Sequence, residues 1–321
     1  MIEILATGPV NSVQDIGRFG HRAQGVSTSG GMDPLSMRLA NLLAGNPETA
    51  AVLEIQSFPL RLRFHRSHRF AVAGAAAPMR LDGAALPSNW TTTAGAGQEL
   101  EIGPPGQGAR AYLALAGGLD LPEVLGSRST HLRNHFGGYE GRDIRPGDRI
   151  NAGEPAGDVT GHGGVLSPLV FADRRGGTAP GALELRVVAG ADLDLFPEDQ
   201  RAAFWSTDWR ITPQSNRSGY RLRGAKVALP EPVSLYSYGV VPGIVQVPPS
   251  GEPIVQMADA NTAGGYPRLG GVIEADLWKL GQARIGSRIR FVRVDFATAV
   301  AAMAEVEAYL AAAREGCRLL S

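Results

Sequence analysis

Residues 288–294 read Arg-Ile-Arg-Phe-Val-Arg-Val, so charged side chains alternate with apolar ones along most of the stretch. Because successive side chains of a strand point to opposite faces, this alternation predicts a half-buried strand. The segment 60–64, Leu-Arg-Leu-Arg-Phe, shows the same period. More continuous apolar runs predict deeply buried strands at 69–75, 109–116, 183–189 and 253–258. The chain is therefore expected to be mostly β, with few helices.

The turn before residue 288 has a counterpart near the middle of the chain. Residues 144–150 read Ile-Arg-Pro-Gly-Asp-Arg-Ile, and residues 283–289 read Ala-Arg-Ile-Gly-Ser-Arg-Ile. This likeness predicts two related β modules. Residues 171–182 have no periodicity, and their glycines and proline are typical of a linker. We predict two β-barrel-like domains, 1–172 and 173–321, the second ending in a helix.

Three helices are predicted among the strands. Asp33 followed by Pro34 is a typical helix start, and Gly45 is a typical helix end. Apolar residues at helical spacing lie between them. A shorter helix is expected at 194–205, and a longer, alanine-rich helix is expected at 297–314.

The composition argues against several classes of protein. Basic and acidic residues both number 31 among the 321, so no net charge attracts nucleic acid or an anionic membrane. No apolar stretch reaches the roughly 18 residues of a membrane span, and the first residues lack the basic segment of a secretory signal. We therefore expect a soluble, cytoplasmic protein with no nucleic-acid or membrane partner. Cys317 is the single cysteine, which excludes an intramolecular disulfide.

Several cofactor and catalytic motifs are missing from the sequence. No Gly-Lys pair occurs, which excludes the G-x-x-x-x-G-K-[ST] phosphate loop, so that ATP, if used, is bound in another way. Neither G-x-G-x-x-G nor the G-x-S-x-G nucleophile turn is present. The two lysines, Lys226 and Lys279, lack the flanking methionines expected around a biotin-carrying lysine. We expect no covalently bound cofactor.

Two of the six histidines have a spacing that could suit a metal. His131 and His135 are four residues apart and would share a face of a helix. However, the segment between them lacks the glutamate of the H-E-x-x-H motif, and two glycines follow at once. We predict no metal site.

The first candidate site segment is 13–20, which continues to the glycines and proline of 30–34. Gln14, Asp15 and Arg18 lie within one turn of each other, and nearby glycines let the backbone approach a ligand closely. The functional interpretation is that these three side chains line a substrate pocket. The structural alternative is an internal salt bridge, with Asp33 capping its helix.

The second candidate segment is 215–222. An arginine fork at Arg217, beside Asn216 and Tyr220, suits bidentate recognition of a carboxylate or a ureido-like group. The structural alternative is a turn that carries an exposed arginine.

The third candidate segment runs from 243 to 267. A predicted buried strand ends in Asp259, which could act as a general base or orient a substrate. Gly264, Gly265 and Tyr266 follow it on permissive backbone, and Gln246 precedes it. The structural alternative is that Asp259 stabilises its own turn through bonds to the backbone.

These segments resemble one known family. The chain is similar to biotin-dependent carboxyltransferase-like proteins, also called allophanate hydrolase subunit 2 or KipA-like proteins. The similarity begins with Val13-Gln14-Asp15-Ile16-Gly17-Arg18. It continues in order over nearly the whole chain, through the segments 40–46, 51–54, 112–118, 125–130, 216–222, 239–243, 246–248 and 264–267.

The resemblance implies a tandem pair of cyclophilin-like β domains and a place in a larger assembly. Stand-alone bacterial members look like the C subunit of 5-oxoprolinase, which opens 5-oxo-L-proline to L-glutamate with ATP hydrolysis. The implied partners are the B and A subunits of that enzyme, which are KipI-like and LamB/YcsF-type respectively, with biotin reaching the site only through a partner. Two alternatives stay open. One is a carboxyltransferase component of a urea carboxylase or allophanate pathway, and the other is a KipA-like regulator that binds a KipI-like kinase inhibitor.

Together, the residues and the resemblance predict a site for a small amide or lactam. Arg217 and Asp259 are predicted to be catalytic, with Arg217 on the carbonyl or carboxylate and Asp259 on the ring or amide N–H. The predicted substrate-binding residues are Asn216, Tyr220, Gln246, Gly264, Gly265 and Tyr266, joined by Gln14, Asp15 and Arg18 from the first domain.

Overall fold

The computed structural model describes residues 1–155, 161, 163–169, 181–231, 233 and 235–318. Most of the linker predicted at 171–182 lies outside this part of the chain. The described helices are α1 (Pro34–Ala44), α2 (Glu198–Ser206), α3 (Glu274–Gln282) and α4 (Phe296–Arg318), with 3₁₀ turns at Arg22–Gln24 and Leu193–Leu195. The chain divides into two compact units. Unit 1 holds residues 1–18, 29–172 and 308–321, and unit 2 holds residues 19–28 and 173–307.

The strands account for most of the regular structure. In unit 1 they are β1 (Ile2–Ala6), β2 (Ser12–Gln14), β3 (Val52–Ile55), β4 (Leu60–Phe64), β5 (His68–Ala76), β6 (Met79–Leu81), β7 (Ala84–Leu86), β8 (Trp90–Ala94), β9 (Glu99–Ile102), β10 (Gln107–Leu115), β11 (Leu119–Asp120), β12 (Arg149–Ala152) and β13 (Gly163–Gly164). In unit 2 they are β14 (Ala182–Ala189), β15 (Trp209–Ile211), β16 (Gly219–Arg223), β17 (Tyr238–Gly239), β18 (Ile244–Gln246), β19 (Ile254–Gln256), β20 (Ala263–Gly264), β21 (Arg268–Val272) and β22 (Arg288–Val294).

Unit 1 is built from two antiparallel sheets. Their strand orders are β11-β12-β1-β4-β9-β6-β7 and β13-β8-β5-β10-β3-β2. Both sheets contribute fully buried side chains to one apolar core, including Leu62 from the first and Leu113 from the second. The alternation in β4 explains its burial, because Arg61 and Arg63 point outward and both pair with Glu99.

Helix α1 covers the outer face of the six-stranded sheet. The Asp33 side chain accepts a hydrogen bond from the Ser36 amide at 2.9 Å, Pro34 is the first helical residue, and Gly45 ends the helix with φ of 80°. Met37 and Leu43 pack on Val52 and neighbouring strand residues. The predicted helix start and end are therefore confirmed.

Unit 2 contains a closed barrel with the strand order β14-β21-β18-β19-β16-β15-β22. The parallel pairing of β14 with β22 closes it. In this unit, Phe291 of β22 stacks on Phe204 of α2, with the ring centres 4.8 Å apart. The predicted mostly β fold is confirmed, and the barrel appears in this unit, whereas the strands of unit 1 form two sheets.

The similar turns at 144–150 and 283–289 have the same structure in their respective units. Gly147 and Gly286 both adopt a left-handed φ, 91° and 88°. Gly147 donates to the Ile4 carbonyl of β1 at 2.7 Å, and Gly286 donates to the Ile211 carbonyl of β15 at 2.8 Å. The Ile4 amide donates back to the Asp148 carbonyl, and the Ile211 amide donates back to the Ser287 carbonyl. The two modules suggested by the sequence therefore share a turn that aligns one strand against another.

Among the described helices α1–α4, one was not predicted from the sequence and another is longer than expected. Helix α3 begins without a side-chain cap, and its second acidic residue, Asp276, is fully buried against Arg186 and Lys279 at 2.7 and 2.8 Å. Burial alone would raise the pKa of Asp276, but the two cations lower it. Among the described residues, α4 is the one helix long and apolar enough to cross a membrane by length and composition. Its buried positions nevertheless include Ala302, Leu310 and Ala313 at helical spacing.

His68 predicts a specific dependence of stability on acid. Its ring lies in β5, where burial, the N-terminal ammonium and Arg66 lower its pKa from 6.5 to about 4. As the pH falls, the His68 ring of the unfolded chain binds a proton near pH 6.5, whereas the same ring in the folded chain binds a proton only near pH 4. We expect the free energy of unfolding to fall as pH drops through this window, and to fall less in a His68→Gln variant. Urea unfolding at several pH values measures this, and equal slopes for both proteins would contradict it.

Candidate functional site

Two predicted catalytic residues contact each other at the ends of neighbouring barrel strands. Arg217 precedes β16 and Asp259 follows β19, and the pairing of Gly219 with Gln256 aligns the two segments. The Arg217 guanidinium donates to both Asp259 carboxylate oxygens, from Nε at 2.9 Å and from Nη2 at 3.3 Å. The Asp259 amide also donates to the Arg217 carbonyl at 2.9 Å. The two segments are thus joined through both backbone and side chain.

This ion pair is almost fully buried. Arg217 is 6 % exposed and Asp259 is 5 % exposed. A buried charge is costly to transfer from water unless it is paired, so each residue depends on the other. The arginine fork predicted to recognise a carboxylate therefore binds one from its own chain. Contact of either residue with substrate stays a prediction.

Asn216 and Tyr220 flank Arg217 but have different surroundings. The Asn216 Oδ1 accepts from the amides of Ser218 and Gly219 at 2.8 and 3.4 Å, which shapes the turn into β16. Tyr220 is 2 % exposed and lies opposite Val255 in the barrel register. Its neighbours Arg221 and Arg223 are exposed, so the alternation places the Tyr220 ring inside the barrel.

Gln246 is the centre of a hydrogen-bond chain on the outer face of the barrel. Its Oε1 accepts from Gln256 at 2.8 Å, and its Nε2 donates to the Tyr238 hydroxyl at 2.7 Å. The Tyr238 hydroxyl then donates to the Tyr266 carbonyl. Gln246 is 3 % exposed, so these bonds determine which way its amide points. The chain connects β18 and β19 to the two-stranded ribbon of β17 and β20.

Of the predicted glycines, Gly264 lies in β20 of this ribbon and Gly265 follows it. A Cβ on Gly264 would lie 2.9 Å from the Gln246 Nε2, and a Cβ on Gly265 would lie 3.1 Å from the Leu235 carbonyl. A side chain at residue 264 would therefore require the Gln246 amide to shift. Tyr266, which follows, keeps 46 % of its surface exposed. Of the predicted unit 2 residues, it has the most accessible aromatic ring.

An arginine that was not predicted lies against the ribbon. The Arg268 guanidinium is 3.8 Å from the centre of the Tyr238 ring and pairs with Asp192 at 2.8 Å. This hydrogen bond lowers the pKa of Asp192, while burial raises the pKa of Tyr238. Sequence reasoning missed Tyr238, Gln256, Arg268 and Asp192, because they lie on four separated segments that only the barrel brings together.

The segment 19–28 also contacts the residues after β19, although it precedes α1 in the chain. The Ser27 hydroxyl donates to the Ala260 carbonyl at 2.7 Å. Arg22 reaches the Thr262 carbonyl at 3.5 Å. The segment belongs to unit 2 for this reason, and no pattern in the sequence indicates it.

Gln14, Asp15 and Arg18 belong to unit 1. The Asp15 carboxylate accepts from the hydroxyls of Ser127 and Ser129 and from the amides of Gly17 and Arg128. Arg18 donates to the Ser129 carbonyl and lies 4.7 Å over the Phe136 ring. Gln14 donates to the Ser12 hydroxyl at 2.9 Å and to the Thr130 carbonyl at 3.2 Å. The structure thus attaches all three to the segment 124–136 or to β2, and their contribution to a substrate site stays a prediction.

The histidine pair does not form a shared helical face. His131 bonds through its backbone to Phe136 and stacks on that ring at 5.2 Å, while His135 has a left-handed φ of 55°. The His131 Nδ1 accepts from the Asn134 amide at 3.1 Å. Within the described ranges, no cluster of three or more His, Cys, Asp or Glu residues suits a metal ion.

The unit 2 residues thus bring amide, hydroxyl and charged groups together on neighbouring segments of the barrel. Comparison with known proteins gives these groups a context. The model of the family described as "Carboxyltransferase domain, subdomain A and B" matches residues 24–293. That range includes all eight of the predicted unit 2 residues.

Two bacterial proteins are similar over almost their whole length. The chain is 40 % identical over 309 residues to the C subunit of 5-oxoprolinase from Escherichia coli, covering 96 % of both chains. It is 36 % identical over 312 residues to the C subunit of 5-oxoprolinase from Haemophilus influenzae, covering 97 % of this chain and 96 % of that one.

A solved structure shares the fold. The crystal structure of the Kluyveromyces lactis urea carboxylase superposes with a TM-score of 0.84 at 31 % identity. The match covers 96 % of this chain but only 29 % of that protein. The chain therefore corresponds to under a third of the larger protein, and to nearly the full length of the two bacterial ones.

Proposed function

The chain belongs to the carboxyltransferase family with subdomains A and B, and we propose that it is the C subunit of an ATP-dependent 5-oxoprolinase. In this role it contributes to the opening of the 5-oxo-L-proline ring to L-glutamate. The observation that carries the proposal is the 40 % identity to the Escherichia coli protein over 96 % of both chains. A likeness that extends from end to end supports an equivalent role in the enzyme better than a shared domain would.

The proposal includes partners and a compartment. We propose a cytoplasmic complex with two further subunits, a KipI-like one of the B type and a LamB/YcsF-type one of the A type. ATP is consumed by the complex, and biotin reaches the site only through a partner. The missing Gly-Lys pair supports a location for ATP other than a phosphate loop here.

Within this complex we assign the lactam to the residues that follow β19 in unit 2. Arg217 is assigned to the substrate carbonyl or carboxylate, and Asp259 to the ring N–H. Their ion pair holds both groups in one geometry, and a ligand with an adjacent N–H and carbonyl offers each a replacement partner. The proposed substrate-binding residues beside this pair are Asn216, Tyr220, Gln246, Gly264, Gly265 and Tyr266.

The test is reconstitution with and without this chain. We expect glutamate release from 5-oxoproline and ATP only when the A-type and B-type subunits are mixed with this chain. Arg221 is an exposed arginine on β16. A chain carrying Arg221→Ala is therefore expected to restore activity fully, and it serves as the matched control. Equal glutamate release without the chain would overturn the proposal.

A second candidate is favoured by the structural comparison. The superposition on the Kluyveromyces lactis urea carboxylase covers nearly all of this chain. A carboxyltransferase component would move a carboxyl group from a carrier-bound biotin to urea. Incorporation of labelled bicarbonate into a urea product, in the presence of a biotin carboxylase and its carrier, would favour this candidate over the lactam reaction.

A further inference from the structure

Arg22 is a half-buried arginine of unit 2 that has no carboxylate partner among the described residues. Each of the five other arginines in the described part of this unit that are at least partly buried forms an ion pair with an aspartate. These five are Arg186, Arg201, Arg217, Arg268 and Arg290. Partly buried cations are usually paired in this way, because removing a charge from water is costly. The charge of Arg22 is therefore not compensated by the described chain.

The polar contacts of Arg22 are both long. Its Nη1 is 3.5 Å from the Thr28 hydroxyl, and its Nη2 is 3.5 Å from the Thr262 carbonyl. Both distances exceed the roughly 2.7–3.2 Å of an ordinary hydrogen bond, and a guanidinium has donors in a fork that matches a carboxylate. Burial also lowers the pKa of Arg22, as expected for a cation that leaves water without an anion beside it. These properties favour an anionic ligand.

The turn that carries Arg22 is held in place by hydrogen bonds. The amides of residues 24–26 donate to the carbonyls of His21 and Arg22 at 3.0–3.2 Å. The Ser27 hydroxyl then donates to the Ala260 carbonyl at 2.7 Å, which joins the turn to the segment after β19. The backbone of Arg22 is thus positioned before any ligand binds, which reduces the cost of binding.

Arg22 lies near the residues already proposed for the lactam. Its contact at Thr262 is three residues beyond Asp259, and three residues of chain span at most about 10 Å. Arg217, on the other side of Asp259, already donates to both oxygens of that carboxylate. Of these two arginines of unit 2, Arg22 is therefore the one whose charge calls for an anion.

The proposed substrate has an anion in a matching place. In 5-oxo-L-proline, the ring nitrogen is bonded on one side to the carbonyl carbon and on the other to the carbon that bears the carboxylate. A lactam whose N–H meets Asp259 therefore presents a neutral carbonyl on one side and a negative charge on the other. Arg217 suits the carbonyl, because its charge is already compensated. Arg22 suits the carboxylate, because its charge is not.

We propose that Arg22 binds the carboxylate of an anionic lactam and thereby selects such substrates over neutral amides. The ring N–H stays with Asp259, and the carbonyl stays with Arg217. The inference rests on the proposed function, since it assumes that a lactam binds beside Asp259. It adds a specificity-determining residue that the sequence patterns did not single out.

The first test compares two ligands that differ only at the carboxylate. In 5-oxo-L-prolinamide, a neutral carboxamide replaces the carboxylate of 5-oxo-L-proline and the ring is unchanged. Binding of each to the full chain is measured by ligand-observed NMR titration. We expect the acid to bind at least about tenfold more tightly, as for a hydrogen bond between charged groups. Equal affinities, or no binding of the acid, would overturn the proposal.

The second test removes the charge of Arg22. In Arg22→Met we expect the affinity for the acid to fall to that for the amide, while the affinity for the amide is unchanged. Arg22→Lys, which keeps a cation, should restore part of the preference for the acid. Arg210 is an exposed arginine on β15, so Arg210→Met is the matched control and should keep the full preference. Loss of affinity for both ligands by the same factor would overturn the proposal and indicate a structural role.

Kinetics of the reconstituted enzyme distinguish the substrate carboxylate from a phosphate of ATP as the anion. With Arg22→Met, we expect the KM for 5-oxo-L-proline to rise about tenfold or more, while kcat changes less and the KM for ATP is unchanged. A raised KM for ATP with an unchanged KM for 5-oxo-L-proline would overturn the proposal and assign Arg22 to a phosphate.

The same measurements separate this inference from the proposed function. If the enzyme releases glutamate and Arg22→Met leaves both KM values unchanged, the inference fails and the proposed function stands. If the wild-type complex releases no glutamate while the chain prefers the acid through Arg22, the proposed function fails and the inference stands.

Discussion

Replacing Arg217 with alanine is expected to lower the free energy of unfolding by about 3–5 kcal/mol, the usual cost of stranding one member of a buried ion pair. The Asp259 carboxylate, which is 5 % exposed, would then lack its guanidinium partner. Turnover in the reconstituted complex is also expected to be lost, because the segments before β16 and after β19 would no longer be joined through their side chains. Urea unfolding and glutamate release measure the two effects.

The double variant Arg217→Met/Asp259→Leu separates stability from chemistry. With both charges removed, no buried charge is left unpaired, so most of the lost stability should return while turnover stays absent. Arg221 is exposed on β16. Its replacement with alanine should change the free energy of unfolding by no more than about 0.5 kcal/mol. Wild-type turnover by the double variant would remove both residues from the reaction.

Replacing Glu54 with alanine is expected to lower the free energy of unfolding by about 3–5 kcal/mol, as a buried charged network loses its acceptor. Glu54 is fully buried, and it accepts from the Met32 amide and the Tyr112 hydroxyl, with Arg110 3.9 Å away. Its loss leaves two donors and a guanidinium without this carboxylate. Circular dichroism during urea unfolding measures the change.

Two variants calibrate the Glu54 result. Tyr112→Phe removes only the hydroxyl and should cost about 1–3 kcal/mol, mainly because the Asp33 amide loses its acceptor. Glu101→Ala removes an exposed carboxylate from β9 in the same unit and should change stability by no more than about 0.5 kcal/mol. A Glu54→Ala effect as small as that of Glu101→Ala would show that the carboxylate does not hold the segment before α1.

Local patterns predicted the secondary structure well where the signal lay within one segment. The alternation at 60–64 and 288–294 gave strands with the predicted bounds, and Asp33 and Gly45 marked the ends of α1. Helix α3 was missed because its start has no side-chain cap and its acidic Asp276 depends on Arg186 from another element. A helix whose buried residue depends on a partner distant in sequence cannot be predicted from the residues of the helix alone.

In the candidate site too, local patterns identified individual residues but not their contacts with residues distant in sequence. Residue type and position singled out Arg217 and Asp259, but not that each is the partner of the other. The substrate contact of Gln246 stays a prediction, and only the barrel shows that its amide lies between Gln256 and Tyr238. Gln256, Tyr238 and Ser27 carry no motif of their own, so only their contacts reveal them.

The sequence by itself determined the β character of the chain, the two related turns, the bounds of α1 and the polar segments from which a site is drawn. These properties depend on residues close together in the chain, where period, capping and turn chemistry act locally. The tertiary structure alone decided that Arg217 binds Asp259, that residues 19–28 join unit 2, and that residues 30–31 lie against residues 15–16. Those outcomes depend on strand register and on which buried polar groups find partners, and both are set by contacts between residues far apart in sequence.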